Sequence, residues 1–319
     1  MVTIDDIIKL SGASRSTVNR FLAGKPVRKD NEKKIQNAMK ELNYRPDKLA
    51  KKCNYTILLL SRSSENQHPS FHGYAEMVSA IIKALEKEGA NILMQSADAK
   101  YIPLVDGVIM YGLSASEEDE IVEILNRRNI PFVFAYREIE QSDISYVTCN
   151  NYRAAYEMTE MLIKKGHKRI AVCNNAPNKR NMSEKLRGFK DCMAAHNLSV
   201  PSYLVCENSN MDAKLKWMQQ LLDRKDDFTA FFGLTDYIAL LFMDNARQRG
   251  FKIPDDFAVV GMDGTVAAAY STPRLTSVVI PFKEIGKITA ETMLELLNDS
   301  EKACVRKYLK YEIACRQSH

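Results

Sequence analysis

No apolar run in this 319-residue chain approaches the ~18 residues that a membrane-crossing helix requires. The opening residues, Met1-Val2-Thr3-Ile4-Asp5-Asp6, hold no basic stretch followed by a long apolar one. A secretory leader is therefore not expected, and the expected location is the cytoplasm. The seven cysteines (Cys53, Cys149, Cys173, Cys192, Cys206, Cys304 and Cys315) are odd in number, scattered, and without a Cys-x-x-Cys pair. They read as reduced, mostly buried thiols, which argues against a disulfide scaffold or a zinc site. The five histidines form no His-Glu-x-x-His or similar ligand spacing, so no metal is predicted. Neither Gly-x-Gly-x-x-Gly nor a phosphate loop is present, and no cofactor is predicted. Asp106, Asp236 and Asp263 are acidic, but no nucleophile, base and orienting group accompany them, so the chain does not read as an enzyme.

What is present is an uneven charge. Residues 1–55 carry thirteen Lys/Arg against six Asp/Glu, a balance of +7 in a chain whose total is +5. The remaining residues are slightly acidic, at −2. A basic head on a near-neutral body points to a polyanion at one end.

The head has the periodicity of three short helices. Thr3 and Asp6 form a capping box ahead of Ile4, Ile7 and Ile8 on one face. Gly12 stands where a tight turn needs a left-handed backbone. Ser14 then caps a second helix over 15–22. Its Thr17, Val18, Phe21 and Leu22 fall on one side, and Arg15, Ser16, Asn19 and Arg20 on the other. Gly24-Lys25-Pro26 ends it, and Asp30 or Asn31 starts a third helix with Ile35, Ala38, Met39 and Leu42 inward. Two amphipathic helices joined by a tight turn make a helix-turn-helix, whose second helix enters a DNA major groove. Arg15, Ser16 and Arg20 are the candidates for reading bases, because Arg pairs with guanine through two donors. Thr3, Ser14, Asn19 and Asn31 suit phosphates.

These residues resemble the LacI/GalR family of bacterial transcription regulators. The resemblance runs over Thr3 to Ser14, Ser16-Thr17-Val18-Asn19-Arg20-Phe21-Leu22, and Glu41-Leu42-Asn43-Tyr44-Arg45-Pro46-Asp47-Lys48-Leu49-Ala50. It implies a Lys-rich hinge helix on operator DNA, to which Lys51 belongs. A leucine of that helix normally wedges into the minor groove; here the matching residue is Cys53, which predicts a weaker wedge and less bending.

From Thr56 onward, strand-like runs at 56–61, 91–95, 105–111, 131–136, 168–173, 203–206, 228–232, 257–262 and 275–280 alternate with helical patterns. The helices are expected at 72–88, 116–128, 151–165, 183–196, 211–223, 236–249 and 282–297. That order predicts an α/β body of parallel sheets with helices on both faces. Its length exceeds one compact sheet, so two Rossmann-like lobes are expected, with a crossover near 136–150 and return crossings near 262–282. A ligand belongs in the cleft at the strand C-termini. The family resemblance extends through Lys165-Gly166-His167-Lys168-Arg169-Ile170-Ala171, Glu184 to Phe189, Thr235 to Leu240, Ile253 to Asp263 and Thr272 to Val278. It implies lobes of the periplasmic-binding-protein type. The domains expected are a helix-turn-helix at 1–45, a hinge at 46–55 and an effector-binding and dimerisation core at 56–319.

By position in the family, Phe71, Tyr136, Lys185, Thr235 and Asp263 are the effector contacts. Asp263 keeps the family's acid, whose carboxylate accepts two hydroxyls and suits a sugar. The others depart. Lys185 replaces Arg and lacks its fork; Thr235 replaces Asn; Tyr136 replaces Asp; His68-Pro69-Ser70-Phe71 replaces Asn-Pro-Phe-Phe; Gly264 replaces a second Asp. Between Asp98 and Val105 only a Pro103-containing loop remains where the family has a helix. The expected function is a sequence-specific repressor, a homodimer on double-stranded operator DNA, controlled by a sugar-like effector. A regulator with a degenerate pocket needing no effector, and a solute-binding protein, are the alternatives. There is no C-terminal leucine heptad for a tetramer.

Overall fold

The computed structural model describes residues 3–22, 26–42, 55–61, 72–97, 102–138, 143–174, 176–299 and 304–319. The chain divides into two units, Met1–Asn54 with Glu88–Ala90, and Tyr55–Lys87 with Asn91–His319.

The first unit is built from α1 (Ile4–Ser11), α2 (Arg15–Leu22) and α3 (Lys29–Glu41). The Asp6 carboxylate accepts from both the backbone N–H and the hydroxyl of Thr3, each at 2.8 Å. Gly12 ends α1 at φ +66°, the left-handed turn its position demanded. Ser14 caps α2, its hydroxyl accepting from the Thr17 N–H at 3.2 Å. Ile7, Ala13, Val18, Ile35 and Ala38 form the buried centre, ringed by Ile4, Ile8, Phe21, Leu22, Met39 and Leu42. The third helix begins earlier than the sequence suggested. The Arg28 carbonyl already accepts the Glu32 N–H, so Asn31 sits inside the first turn instead of capping it.

The second unit runs β1 (Thr56–Ser61), α4 (His72–Glu88), β2 (Asn91–Ser96), β3 (Gly107–Tyr111), α5 (Ala115–Arg127), β4 (Phe132–Ala135) and β5 (Ser145–Cys149). It continues with α6 (Asn151–Lys164), β6 (Ile170–Asn174), α7 (Arg180–Ala195), β7 (Val205–Glu207), α8 (Met211–Asp223), β8 (Ala230–Gly233) and α9 (Asp236–Gln248). It ends with β9 (Ala258–Asp263), α10 (Val266–Tyr270), β10 (Thr276–Val279), α11 (Phe282–Asn298), β11 (Arg306–Leu309) and β12 (Glu312–Ala314).

Two six-stranded sheets result. The N-lobe order is β11-β5-β4-β3-β1-β2, all parallel. The C-lobe order is β12-β10-β9-β8-β6-β7, parallel except for β12, which runs antiparallel to β10. Helices on both faces bury the central strands completely, which is why β1 and β9 read as near-continuous apolar runs. The chain leaves the N-lobe after β5, returns between β10 and α11, and crosses a third time between β11 and β12. The first two crossings fall in the expected windows. The third is carried by strands of four and three residues that are only half buried, and nothing in their pattern announced it.

Among the described residues between Ser96 and Gly107 there is no helix. Arg128 holds the loop instead, donating to the Ile102 carbonyl at 2.7 Å. Leu93, Met94 and Leu104 stay exposed beside it.

Candidate functional site

The helix α2 separates its two faces as the sequence pattern required. Val18 is fully buried and Thr17, Phe21 and Leu22 are half-buried, while Ser14, Arg15, Ser16, Asn19 and Arg20 are exposed. Arg15 is held in an ion pair with Asp5 of α1. Arg20 donates to the Pro26 carbonyl at 3.2 Å. Both contacts are at the surface, where an ion pair contributes little and is readily exchanged for a phosphate or a guanine. Thr3 is exposed as well, and Asn31 half-buried. Lys51 and Cys53 lie outside the described residues.

The second candidate site lies where the strands of both lobes end. Tyr136 follows β4, Lys185 projects from α7, Thr235 caps α9, and Asp263 closes β9; Phe71 lies outside the described residues. Lys185, 1 % exposed, donates to the Leu234 carbonyl at 3.0 Å and to Asp263 Oδ1 at 3.2 Å. Its ammonium also stands 5.9 Å from the centre of the Tyr136 ring. The Tyr136 hydroxyl donates to Asn151 Oδ1 at 2.8 Å, reaching from one lobe to the first residue of α6 in the other. Its ring meets Phe282 edge-on at 4.8 Å and Tyr74 at 6.0 Å. Gly73 makes room for this packing, because a Cβ there would meet the Phe282 ring at 2.2 Å. Three of the four described candidates therefore meet in one cluster, filled by its own side chains.

Thr235 is engaged differently. Its hydroxyl accepts from the Ile238 N–H at 3.4 Å as the cap of α9. Beside it, Asp236 is fully buried and accepts from the Thr265 N–H at 2.6 Å, the Thr265 hydroxyl at 2.9 Å and the Ser277 hydroxyl. Its role is to fasten α9 to β10. Gly264 adopts φ +73° with Val279 against it, so a side chain there would strain the backbone and clash.

Burial dominates the electrostatics. It pushes the Asp263 carboxyl up to about 7, against the pull of Lys185 and with the repulsion of Asp236. It raises Asp236 in the same direction. The neighbouring Cys149 thiol, buried at the end of β5, is pushed up to about 12, so it is a packed thiol and not a nucleophile. Both Tyr136 and Asp263 adopt positive φ, at 58° and 124°. Such strain at a strand C-terminus is typical of a ligand-facing position. Sequence reasoning did not find Tyr74, Asn151 or Phe282. Each stands at or just after a helix start; for Tyr74 and Phe282 an aromatic there was the available signal, and Asn151 offered none. Among the described residues no group of three or more His, Cys, Asp or Glu could hold a metal ion. No helix among them is long and apolar enough to cross a membrane.

Comparison with known proteins decides between a transport body and a regulator. A model of the lacI family of bacterial regulatory proteins matches residues 3–47, and one of the periplasmic binding protein-like domain matches residues 159–319, half of the chain. The chain belongs to the lacI family. It is a DNA-binding transcription regulator with an effector-type core. The probable HTH-type transcriptional repressor ExuR of Bacillus subtilis (strain 168) is 28% identical over 329 residues, covering 100% of this chain and 98% of that one. Catabolite control protein A of Priestia megaterium is 29% identical over 335 residues, covering 99% of each. A solved complex of the transcriptional regulator CelR with cellobiose superimposes with a TM-score of 0.73 at 25% identity over the whole of both chains.

Proposed function

We propose that this lacI-family protein is a homodimeric repressor that reads a near-palindromic operator with α2 of each subunit. The observation that carries the reading is the two-faced α2. Arg15, Ser16, Asn19 and Arg20 lie exposed together, while Val18 anchors the helix from behind. Arg15, Ser16 and Arg20 reach base edges, and Thr3, Ser14, Asn19 and Asn31 hold phosphates. Lys51 and Cys53 belong to the hinge that follows. The working division is a reading head at 1–45, a hinge at 46–55 and a two-lobed core at 56–319, acting in the cytoplasm and without enzymatic chemistry. An operator-shift assay over a salt series tests this. Steeply salt-sensitive binding, preferring one site over random DNA, supports the reading; equal affinity for random DNA refutes it.

The core answers a sugar-like effector taken between the lobes, with Phe71, Tyr136, Lys185, Thr235 and Asp263 as its candidate contacts. A ligand there shifts the lobe-to-lobe arrangement only by preferring one state over the other. In favour of a ligand, Asn151 Nδ2 is buried without an acceptor, a donor that a ligand oxygen would satisfy. One observation favours the second reading, a regulator that needs no effector at these residues. Lys185 already pairs with Asp263, and the Tyr136 hydroxyl already has Asn151. Thermal-shift measurements against sugars, polyols and nucleosides separate the two.

A further inference from the structure

On the far side of α7 from the Lys185–Asp263 pair lies a half-enclosed cavity of about 290 Å³. Both lobes build it. The helix α5 contributes Glu118 and Asp119, the segment after β4 contributes Arg137, and α7 contributes Arg180, Glu184 and Arg187. Phe134, Ile144 and Val122 give it an apolar floor. Glu118 and Arg137 are buried, 5 % and 7 % exposed, so the charged wall is built into the fold.

The charges pair across the seam between lobes. Arg137 lies 3.2 Å from Glu118 and 3.5 Å from Glu184. Arg180 donates to both Asp119 oxygens, at 2.6 and 2.7 Å, and stands 3.4 Å from Glu118. Every carboxylate of the wall therefore has a guanidinium. The converse does not hold. Arg187 has no carboxylate in ion-pair reach among the described residues; its guanidinium stands 5.0 Å from the centre of the Tyr152 ring. Arg180 Nε is the atom that stands 3.4 Å from Glu118; it is buried and makes no hydrogen bond.

We propose that this seam binds a small polyhydroxylated carboxylate. Its carboxylate takes the fork of Arg187. Its hydroxyls donate to Asp119 and Glu184 and accept from Arg180 Nε and Ser183. Its C–H face rests on Phe134 and Ile144. The volume suits one six-carbon molecule, at the small end of ligand cavities. A neutral sugar leaves Arg187 unused, and a phosphate dianion meets three carboxylates in the same wall. A ligand held by α5 and α7 together ties the lobes to each other. The proposal rests on the effector-controlled reading above and moves the ligand from the filled centre of the cleft to its flank.

The test is calorimetric titration of the full-length protein with D-gluconate, with D-glucose and inorganic phosphate as comparisons. Gluconate should bind once per chain and at least about tenfold more tightly than either comparison, because a charge-assisted pair is at stake. Arg187→Gln should weaken it by about tenfold or more, and Arg187→Lys by less. Arg187 is exposed and unpaired, so the unliganded melting temperature of each variant reports that folding is kept. Lys190→Gln, on the same helix but outside the cavity lining, should keep the gluconate affinity. Failure of gluconate to bind, equal binding by glucose, or indifference to Arg187→Gln overturns the proposal. So does an equal loss of binding in Lys190→Gln, which would trace the effect to net charge and not to Arg187, and would leave the effector reading intact. If gluconate binds through Arg187 but leaves operator affinity unchanged at saturation, the site stands and the effector reading fails.

Discussion

The helix α2 and the inter-lobe cleft treat their polar residues in opposite ways. On α2, Arg15, Ser16, Asn19 and Arg20 stand in solvent with at most a surface partner each. In the cleft, Lys185, Asp263 and Tyr136 are buried and bonded to protein atoms. A partner arriving at α2 displaces water and counter-ions, and the site is ready before it comes. A ligand arriving at the centre of the cleft must first break a buried ion pair, which leaves charge uncompensated unless the ligand restores it. The same residue types thus make a preformed surface in one place and a closed one in the other.

The most drastic way to break the comparison is to remove what supports the exposed face. Val18 is fully buried in a centre of five buried apolar residues among the described ones. Val18→Asp places a charge there without a partner, at a cost of several kcal/mol, comparable to the whole stability of so small a unit. Operator binding should be lost, while calorimetry of the same variant should still show the core transition of the wild-type protein. Retained operator binding would mean that α2 does not depend on this packing.

In the cleft the largest effect is on pH dependence. The Asp263 carboxyl titrates near 7 in the folded core and near 3.9 in the unfolded chain, so the folded state holds the extra proton in between. Its contribution to stability is greatest below about pH 4 and is lost as pH rises through about 7. Burial is the cause, with Lys185 opposing and Asp236 reinforcing it; Tyr136 and Cys149 are uncharged neighbours. Asp263→Asn removes this titration. A shift of about three units sets a ceiling of roughly 4 kcal/mol. Melting temperatures of the variant measured from pH 4 to 8 should fall less steeply with pH than those of the wild type. Parallel curves would show that Asp263 is ionised throughout that range.

Much of this was legible in the residues, and what was missed had a physical cause. The long helices, the Gly12 turn, the Thr3–Asp6 box and the two faces of α2 follow from local periodicity and capping, which need no tertiary information. All nine core strands of the sequence reading agree in place with the fold for the same reason. By contrast β5 falls in the 136–150 stretch expected to be a crossover, and β11 and β12 are short and partly exposed, so their identity comes from their neighbours in the sheet. The candidate site divides similarly. Tyr136, Lys185 and Asp263 could be placed one by one through family position, but their mutual pairing is a fact of three dimensions. The Arg137–Glu184 and Arg180–Asp119 pairs join residues from different lobes, and no spacing along the chain reveals them.

A milder change sharpens the contrast on the open side. Among the described residues Arg20 holds only the Pro26 carbonyl, so its removal should leave the head folded. Arg20→Ala should weaken specific operator binding by about 1–3 kcal/mol, a factor of roughly 5 to 150, with a smaller loss on random DNA. An equal loss on both would assign Arg20 to a phosphate instead of a base.

The smallest effect compares two caps, one in each region. Ser14 caps α2 through the Thr17 N–H, and Thr235 caps α9 through the Ile238 N–H. Each was assigned a ligand contact as well, so structure and binding are superimposed in one hydroxyl. Alanine at either position should cost about 1 kcal/mol of the stability of its own unit. Asparagine separates the two roles, since its side chain caps a helix about as well as serine does. Ser14→Asn should restore head stability. If the Ser14 hydroxyl also meets a phosphate, operator affinity should stay below wild type by a few tenths to 1 kcal/mol, and an affinity fully restored with stability would leave Ser14 a cap alone. Thr235→Asn carries the same logic into the core. There the cap is 5 % exposed, and a larger side chain must find room among groups already bonded to each other. A stability gain in the head variant with a loss in the core variant is the outcome expected of an open surface set against a filled one.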